Sequence, residues 1–229
     1  MTDYQPPGTI IYRCEVGSRL HGTSVDDGSD DHDELAIVVE HPPYVTGLKS
    51  WDSHVYRTAG EGNRSYAGDL DLTYYSLRKF LRLAAQGNPS ILAALYAPDE
   101  MIYWDSEMAY RMRLLAPQIV SKRAIPRFRG YMRSQALRLT GEKGLARGQR
   151  GGGRPELIEK YGYDTKFAMH MCRLGFQGWD LCDYGHLILP MTDVPRLMLQ
   201  EIRQGKRQVD NVLDLAFRLD KILDMYETG

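Results

Sequence analysis

GSRLHGTSVDDGSDDHDELAIVVE, residues 17–40, is the stretch on which the reading of this chain turns. The chain enters it through Ile10-Ile11-Tyr12-Arg13-Cys14-Glu15-Val16, whose β-branched content predicts a strand. A Gly17-Ser18 turn follows, then an acidic loop, then a second apolar run, Leu35-Ala36-Ile37-Val38-Val39. Asp31 and Asp33 stand just ahead of that run, two residues apart. Side chains at that spacing leave a strand on the same face. Asp26, Asp27 and Asp30 read instead as solvated turn residues.

Working outward, His41-Pro42-Pro43 ends the second strand, because proline cannot donate to a ladder. Residues 44–68 are mixed and read as a weak strand or a loop excursion that returns to the sheet. Asp69-Leu70-Asp71-Leu72-Thr73 alternates with period two, a third strand whose two aspartates share one face. Ser76 is placed to cap a helix carrying the stripe Leu77, Phe80, Leu81 and Ala84. Asn88 with Pro89 starts another, with Ile91, Leu92, Leu95 and Tyr96 turned inward.

Beyond Asp105 helical signals dominate. Helices are expected after Glu156, after Asp164 and over 194–204, with a short extended piece at Leu187–Pro190. A last helix over 209–226 carries the stripe Val212, Leu213, Leu215, Ala216, Leu219 and Leu223. Residues 141–155, GEKGLARGQRGGGRP, interrupt this pattern and read as a loop. The expected fold is α+β: a small mixed β-sheet core with flanking helices over 1–105, then a helical C-terminal half over 106–229.

The 29 basic and 30 acidic residues leave a formal charge of -1, which gives no global signal for nucleic acid or membrane. Three cysteines, Cys14, Cys172 and Cys182, lack metal-ligand spacing, and their odd number argues against a disulfide framework. With no signal-peptide pattern in Met1–Gly8 and no apolar run near the roughly 20 residues of a membrane span, a cytoplasmic home is expected.

Two carboxylates on one strand with a third on a neighbour suit Mg²⁺, or Mn²⁺ in its place, because hard cations take oxygen ligands. Two such ions clamp the attacking and leaving oxygens of a phosphoryl transfer. The Gly17-Ser18 turn supplies a close backbone approach and a hydroxyl, and Arg19 adds positive charge.

Gly17-Ser18 followed by Asp31-His32-Asp33 before an apolar strand resembles the nucleotidyltransferase signature of the DNA polymerase beta superfamily. GSRLHG with its acidic loop is similar, more narrowly, to the branch that includes RNA-ligase-associated polymerase-beta-like proteins. Two further blocks extend the match. DLTYYSLRKFLRLAAQGNPSILAALY (71–96) resembles that branch's third-aspartate strand, Leu-Arg-Lys helix and Gly-Asn-Pro turn. KYGYDTKFAMHMCRLG (160–175) resembles its Tyr-Asp-x-Lys-x-Ala-x-His helix. Asp30 departs from the pattern, standing where the branch usually has serine, and the loop from Gly22 to Asp31 is longer than expected.

The resemblance implies that Asp31 and Asp33 are the metal-binding pair and that Asp71, rather than Asp69, is the third catalytic carboxylate. Gly17, Ser18 and Arg19 would contact a nucleoside triphosphate, joined by Lys166, His170 and Tyr163 from the later block. Lys166 and His170 are four apart and share a helical face, near Arg173. Asp164 also reads as that helix's cap, and Tyr163 as a stacking or a packing residue. The expected reaction moves an NMP from an NTP to an acceptor hydroxyl with release of pyrophosphate. Arg147, Arg150 and Arg154, preceded by Arg129, Arg133 and Arg138, form either a solvated face or a clamp for an RNA acceptor. NMP transfer to a protein, and a non-catalytic nucleotide- or RNA-binding module, are the alternatives.

Overall fold

In the computed structural model, which describes residues 4–24, 32–60, 68–140 and 154–228, the two apolar runs pair as antiparallel strands β1 (Gly8–Glu15) and β2 (His32–Glu40). Between them Gly17–His21 forms one short helix, α1, where the sequence suggested only a turn. The mixed stretch after α2 (Pro42–Val45) does return to the sheet, as β3 (Ser53–Arg57), and leads to β4 (Leu70–Ser76). β4 runs parallel to β2, with Asp33 opposite Asp71 and Leu35 opposite Thr73. A fifth strand, β5 (Ile102–Asp105), closes the order β3-β4-β2-β1-β5. The sheet is therefore mixed, as expected.

Alternation divides this sheet into two faces. Tyr12, Cys14, Leu35 and Ile37 are buried on the front face, where the Tyr12 hydroxyl donates to the Ala94 carbonyl at 2.8 Å. That carbonyl belongs to α4 (Pro89–Leu95), which follows α3 (Leu77–Ala85). Both helices start on side-chain caps: Ser76 accepts from Lys79 N–H, and Asn88 accepts from the N–H groups of Ser90 and Ile91. On the rear face Ala36, Val38, Leu72 and Tyr74 form a core covered by Tyr4, Ile10, Trp51, Tyr56 and Leu70. The Trp51 indole N–H donates to the Tyr4 hydroxyl at 3.1 Å.

The chain divides into compact units at Val120/Ser121, so α5 (Glu107–Leu114) and α6 (Ala116–Ile119) belong with the sheet. Local bonds explain this placement. Ser106 N–H donates to the Ile11 carbonyl at 2.9 Å, and Arg113 pairs with Asp105 and Asp99, each at 2.7 Å.

The second unit is built from α7 (Ala124–Leu139), α8 (Pro155–Tyr161), α9 (Thr165–Tyr184), α10 (Asp193–Arg203) and α11 (Val209–Thr228). Helix α9 is its centre, and α7, α10 and α11 all pack on it. The expected stripe on α11 is buried at Val212, Ala216, Leu219 and Leu223. Arg129 of α7 is 7% exposed and pairs with Asp220, Asp224 and Glu227 of α11. Leu187–Pro190 forms no strand. Most of the expected Gly/Arg loop lies outside the described residues. Among the described residues no helix is long and apolar enough to cross a membrane.

Candidate active site and a basic cluster

Parallel pairing places Asp33 and Asp71 side by side on the front face at the start of their strands. Antiparallel pairing of β3 with β4 brings Arg57 opposite Asp71, and the Arg57 Nε lies 3.3 Å from the Asp71 carboxylate. The row across the sheet is thus Arg57, Asp71, Asp33. Asp31 lies outside the described residues. Among the described residues, no group of three or more His, Cys, Asp or Glu side chains is arranged to hold a metal ion.

Gly17 closes the site from above. Its φ of +71° is a conformation that L side chains rarely adopt. A Cβ at this position would stand 2.3 Å from Asp33 Oδ2, so the carboxylate occupies the space that only glycine leaves. Val16 N–H donates to the Asp33 carbonyl at 2.8 Å, fixing the approach. The Ser18 carbonyl accepts from Thr23 N–H at 2.9 Å and folds the chain back after α1.

Asp69 has a different environment from Asp71. Its Oδ1 accepts from the Thr58 hydroxyl at 2.9 Å, and its carbonyl accepts from His32 N–H at 2.9 Å, so it joins β2, β3 and β4 at their ends. Arg57 was invisible to sequence reading because it sits on β3, a strand recognised there only as a possible excursion. The period-two run Ser53-His54-Val55-Tyr56-Arg57 carries the only signal for it.

The rear face beneath these aspartates is charged as well. Glu15 and Glu34 face each other in register, 5% and 3% exposed. Arg13 binds Glu34, and the Tyr103 hydroxyl donates to Glu15. His32 Nε2 lies 3.1 Å from Glu15 and 3.2 Å from Glu34. Arg19 also leans to this side, its Nε 4.0 Å from Glu15 Oε1. Burial and the Glu15 carboxylate push the Tyr103 phenol pKa upward, so it stays a proton donor. This cluster pins both neighbours of Asp33, which holds the aspartate toward the opposite face.

In the second unit Asp164 is the α9 cap: its Oδ1 accepts from the N–H groups of Lys166 at 2.9 Å and Phe167 at 3.1 Å, and its Oδ2 accepts from Arg154 N–H at 2.6 Å. Tyr163 is 6% exposed, and its hydroxyl donates to the Arg207 carbonyl at 2.6 Å, so here it is the packing residue of the two readings. Lys166, His170 and Arg173 form one stripe along α9. An Arg173 N–H group lies 3.3 Å from both ring nitrogens of His170. The guanidinia of Arg138 and Arg154 lie 5.9 and 5.3 Å from the Phe167 ring centre. Burial, reinforced by Arg138 and Arg154, pushes the His170 pKa down to about 4. Burial alone pushes Arg173 down to about 10. Of the arginines ahead of the Gly/Arg stretch, Arg129 and Arg133 are spent on α11 carboxylates.

The model of RlaP, the RNA repair pathway DNA polymerase beta family, matches residues 3–218. An uncharacterized 38.9 kDa protein from the nrdC-mobD intergenic region of enterobacteria phage T4 is 27% identical over 133 residues. That match covers 55% of this chain and only 37% of the phage protein. A nucleotidyltransferase-like protein from Exiguobacterium sibiricum aligns over 93% of this chain and 68% of its own, at 12% identity and a TM-score of 0.35.

Proposed function

Because the chain belongs to the RNA repair pathway DNA polymerase beta family, a family of polymerase-beta-like nucleotidyltransferases, we propose that it moves an NMP from a nucleoside triphosphate to an acceptor hydroxyl on RNA and releases pyrophosphate. The observation that carries this reading is the parallel register that sets Asp33 beside Asp71. A purely binding role has no need for aspartates set in register on adjacent strands where a triphosphate would lie.

The donor set fits a divalent cation: Asp33 and Asp71 offer hard oxygens, and Gly17 leaves the Asp33 carboxylate the room it occupies. Asp31, Asp33 and Asp71 would hold Mg²⁺, or Mn²⁺ in its place, which when bound neutralises triphosphate charge. The chain's own groups do the rest. Asp71 takes the proton of the acceptor hydroxyl as that oxygen attacks the α-phosphate. Arg57 holds the Asp71 carboxylate in position and balances its charge. The Gly17 and Ser18 backbone and the Ser18 hydroxyl line the phosphates, whereas Arg19 is drawn toward Glu15 on the opposite face. Support for an RNA acceptor comes from the family, and Arg147 and Arg150 would add salt-sensitive backbone contacts.

The test is incubation of the protein with each labelled NTP, Mg²⁺ and total RNA or cell extract. Label is expected on RNA, and Asp33→Asn is expected to abolish it with the fold intact by circular dichroism. Retained turnover in that variant would sink the carboxylate assignment. Label on protein would move the acceptor, and label on neither would leave a binding module.

A further inference from the structure

Within the rear cluster, Glu15 is the residue that reaches β5, β2 and α1 together. Its Oε2 accepts from the Tyr103 hydroxyl of β5 and lies 3.1 Å from His32 Nε2 of β2. Its Oε1 has Arg19 of α1 at 4.0 Å and no hydrogen-bond partner among the described residues. Glu15 is also the last residue of β1, so the chain leads from it straight into the site. The next residue, Val16, donates its N–H to the Asp33 carbonyl, and Gly17 after it lies against the Asp33 carboxylate.

An acid is a costly choice at this position. Carboxylates directly opposite one another on antiparallel strands repel, and burial removes the water that would screen them. Glu34 is answered by Arg13. Glu15 is met by a phenol, an imidazole and an arginine at the limit of ion-pair range. An apolar side chain here would end the repulsion and extend the rear core of Ala36 and Val38 toward the strand end. A chain that keeps the acid gives up stability at the one place where β1 hands over to the Gly17-Ser18 turn, and trades of that kind are typical of functional positions.

We infer that Glu15 is a positioning residue for the candidate site: it ties α1 and the start of β2 to β5, and so fixes the Gly17-Ser18 turn against the Asp33 carboxylate. The role rests on the function proposed above. Glu15 itself lies on the face of the sheet opposite Asp33 and touches neither phosphate nor cation. It acts through two short links, His32 beside Asp33 in the chain and the Val16-Gly17 backbone that follows Glu15. Tyr103 is the outer anchor of both. Groups that hold a metal ligand in place without touching the ion commonly set its affinity.

The experiment measures Mn²⁺ binding to the full chain by calorimetry, beside transfer from labelled NTPs to total RNA. Glu15→Gln keeps an acceptor for Tyr103, whereas Glu15→Met keeps none. Mn²⁺ affinity is expected to fall roughly tenfold in Glu15→Met, and much less in Glu15→Gln. In EDTA, Glu15→Met is expected to melt at or above the wild-type temperature, since removal of a merely structural acid would leave a less stable protein. Tyr103→Phe serves if Glu15→Met does not fold, and is expected to weaken Mn²⁺ binding in the same direction. Wild-type affinity in both Glu15→Met and Tyr103→Phe overturns the assignment. Weaker binding that tracks a lower melting temperature overturns it too, as the mark of general loosening. A wild type that binds Mn²⁺, loses affinity in Glu15→Met and yet labels no RNA keeps the positioning role and overturns the proposed reaction. A wild type that binds no Mn²⁺ overturns both.

Discussion

At Gly17 a backbone requirement and a steric one coincide. The positive φ costs a side-chain-bearing residue about 1 kcal/mol, and a Cβ would press on the Asp33 carboxylate at 2.3 Å. The two costs can be separated. Gly17→Ala should lose more stability in the wild-type background than in Asp33→Ala, where only the conformational cost of about 1 kcal/mol and part of the contact remain. A urea double-mutant cycle measures the difference, and additive single effects would show that the carboxylate is not what excludes the methyl group. His170 yields a pH prediction. Its folded pKa is depressed to about 4 from 6.5, so the native state resists a proton that the unfolded chain accepts. No stability is lost above pH 6.5, and the loss grows as pH falls to about 4, reaching up to about 3 kcal/mol. In His170→Gln the difference in denaturation midpoint between pH 7 and pH 4.5 should shrink. Much at this scale was readable in sequence. Asp164 reads as a cap because capping is local, and it does cap α9. Arg57 and the Glu15–Glu34 pair were not readable there, because their significance depends on which strands become neighbours.

Elements repeat the lesson. Caps and stripes act within a few residues, so α3, α4 and α11 fell close to their expected bounds. Strand β5 was missed because four residues too short to show a period become a strand only through pairing with β1. Helix α1 hides a single turn behind a Gly-Ser signal, and its capping Gly22 at φ +69° has no neighbour in sequence that demands it. Helix α9 could be read as a helix but not as the centre of a bundle. What makes it so is a pair of glycines three residues apart. A Cβ at Gly175 would lie 2.8 Å from Leu219 Cβ and 3.0 Å from Met132 Sδ, and one at Gly178 would lie 2.9 Å from Leu223. Glycine in a helix interior normally loses about 1 kcal/mol to alanine. Here overpacking, typically 1–3 kcal/mol, opposes that gain. Gly175→Ala is therefore expected to lower the thermal midpoint, and a raised midpoint would show that α7 and α11 yield easily to a methyl group.

Over the whole molecule, a formal charge of -1 conceals two local arrangements of opposite sign. The first unit gathers carboxylates at strand ends, and the second gathers guanidinia along α9. Each unit also has its own buried core, with Tyr12, Ile37, Leu72 and Phe80 in one and Phe128, Met171, Leu174 and Leu219 in the other. A chain ending at Val120 is accordingly expected to keep the sheet, as judged by far-ultraviolet circular dichroism and a cooperative melt. A non-cooperative melt would mean that the first unit depends on the second for stability. Composition alone cannot reveal such segregation, since opposite local charges cancel in the sum.

The alternation along β2 also bears on how this chain can change over generations. His32 and Glu34 serve the rear cluster while Asp33, between them, serves the front. Replacing one of these side chains alters one face only. Losing or gaining a single codon within the strand would exchange the faces, driving Asp33 toward the buried Glu15 and turning Glu34 to the front. Residues 32–40 and 70–76 should therefore drift by substitution but almost never by insertion or deletion, whereas the exposed turn at 46–50 is free to vary in length.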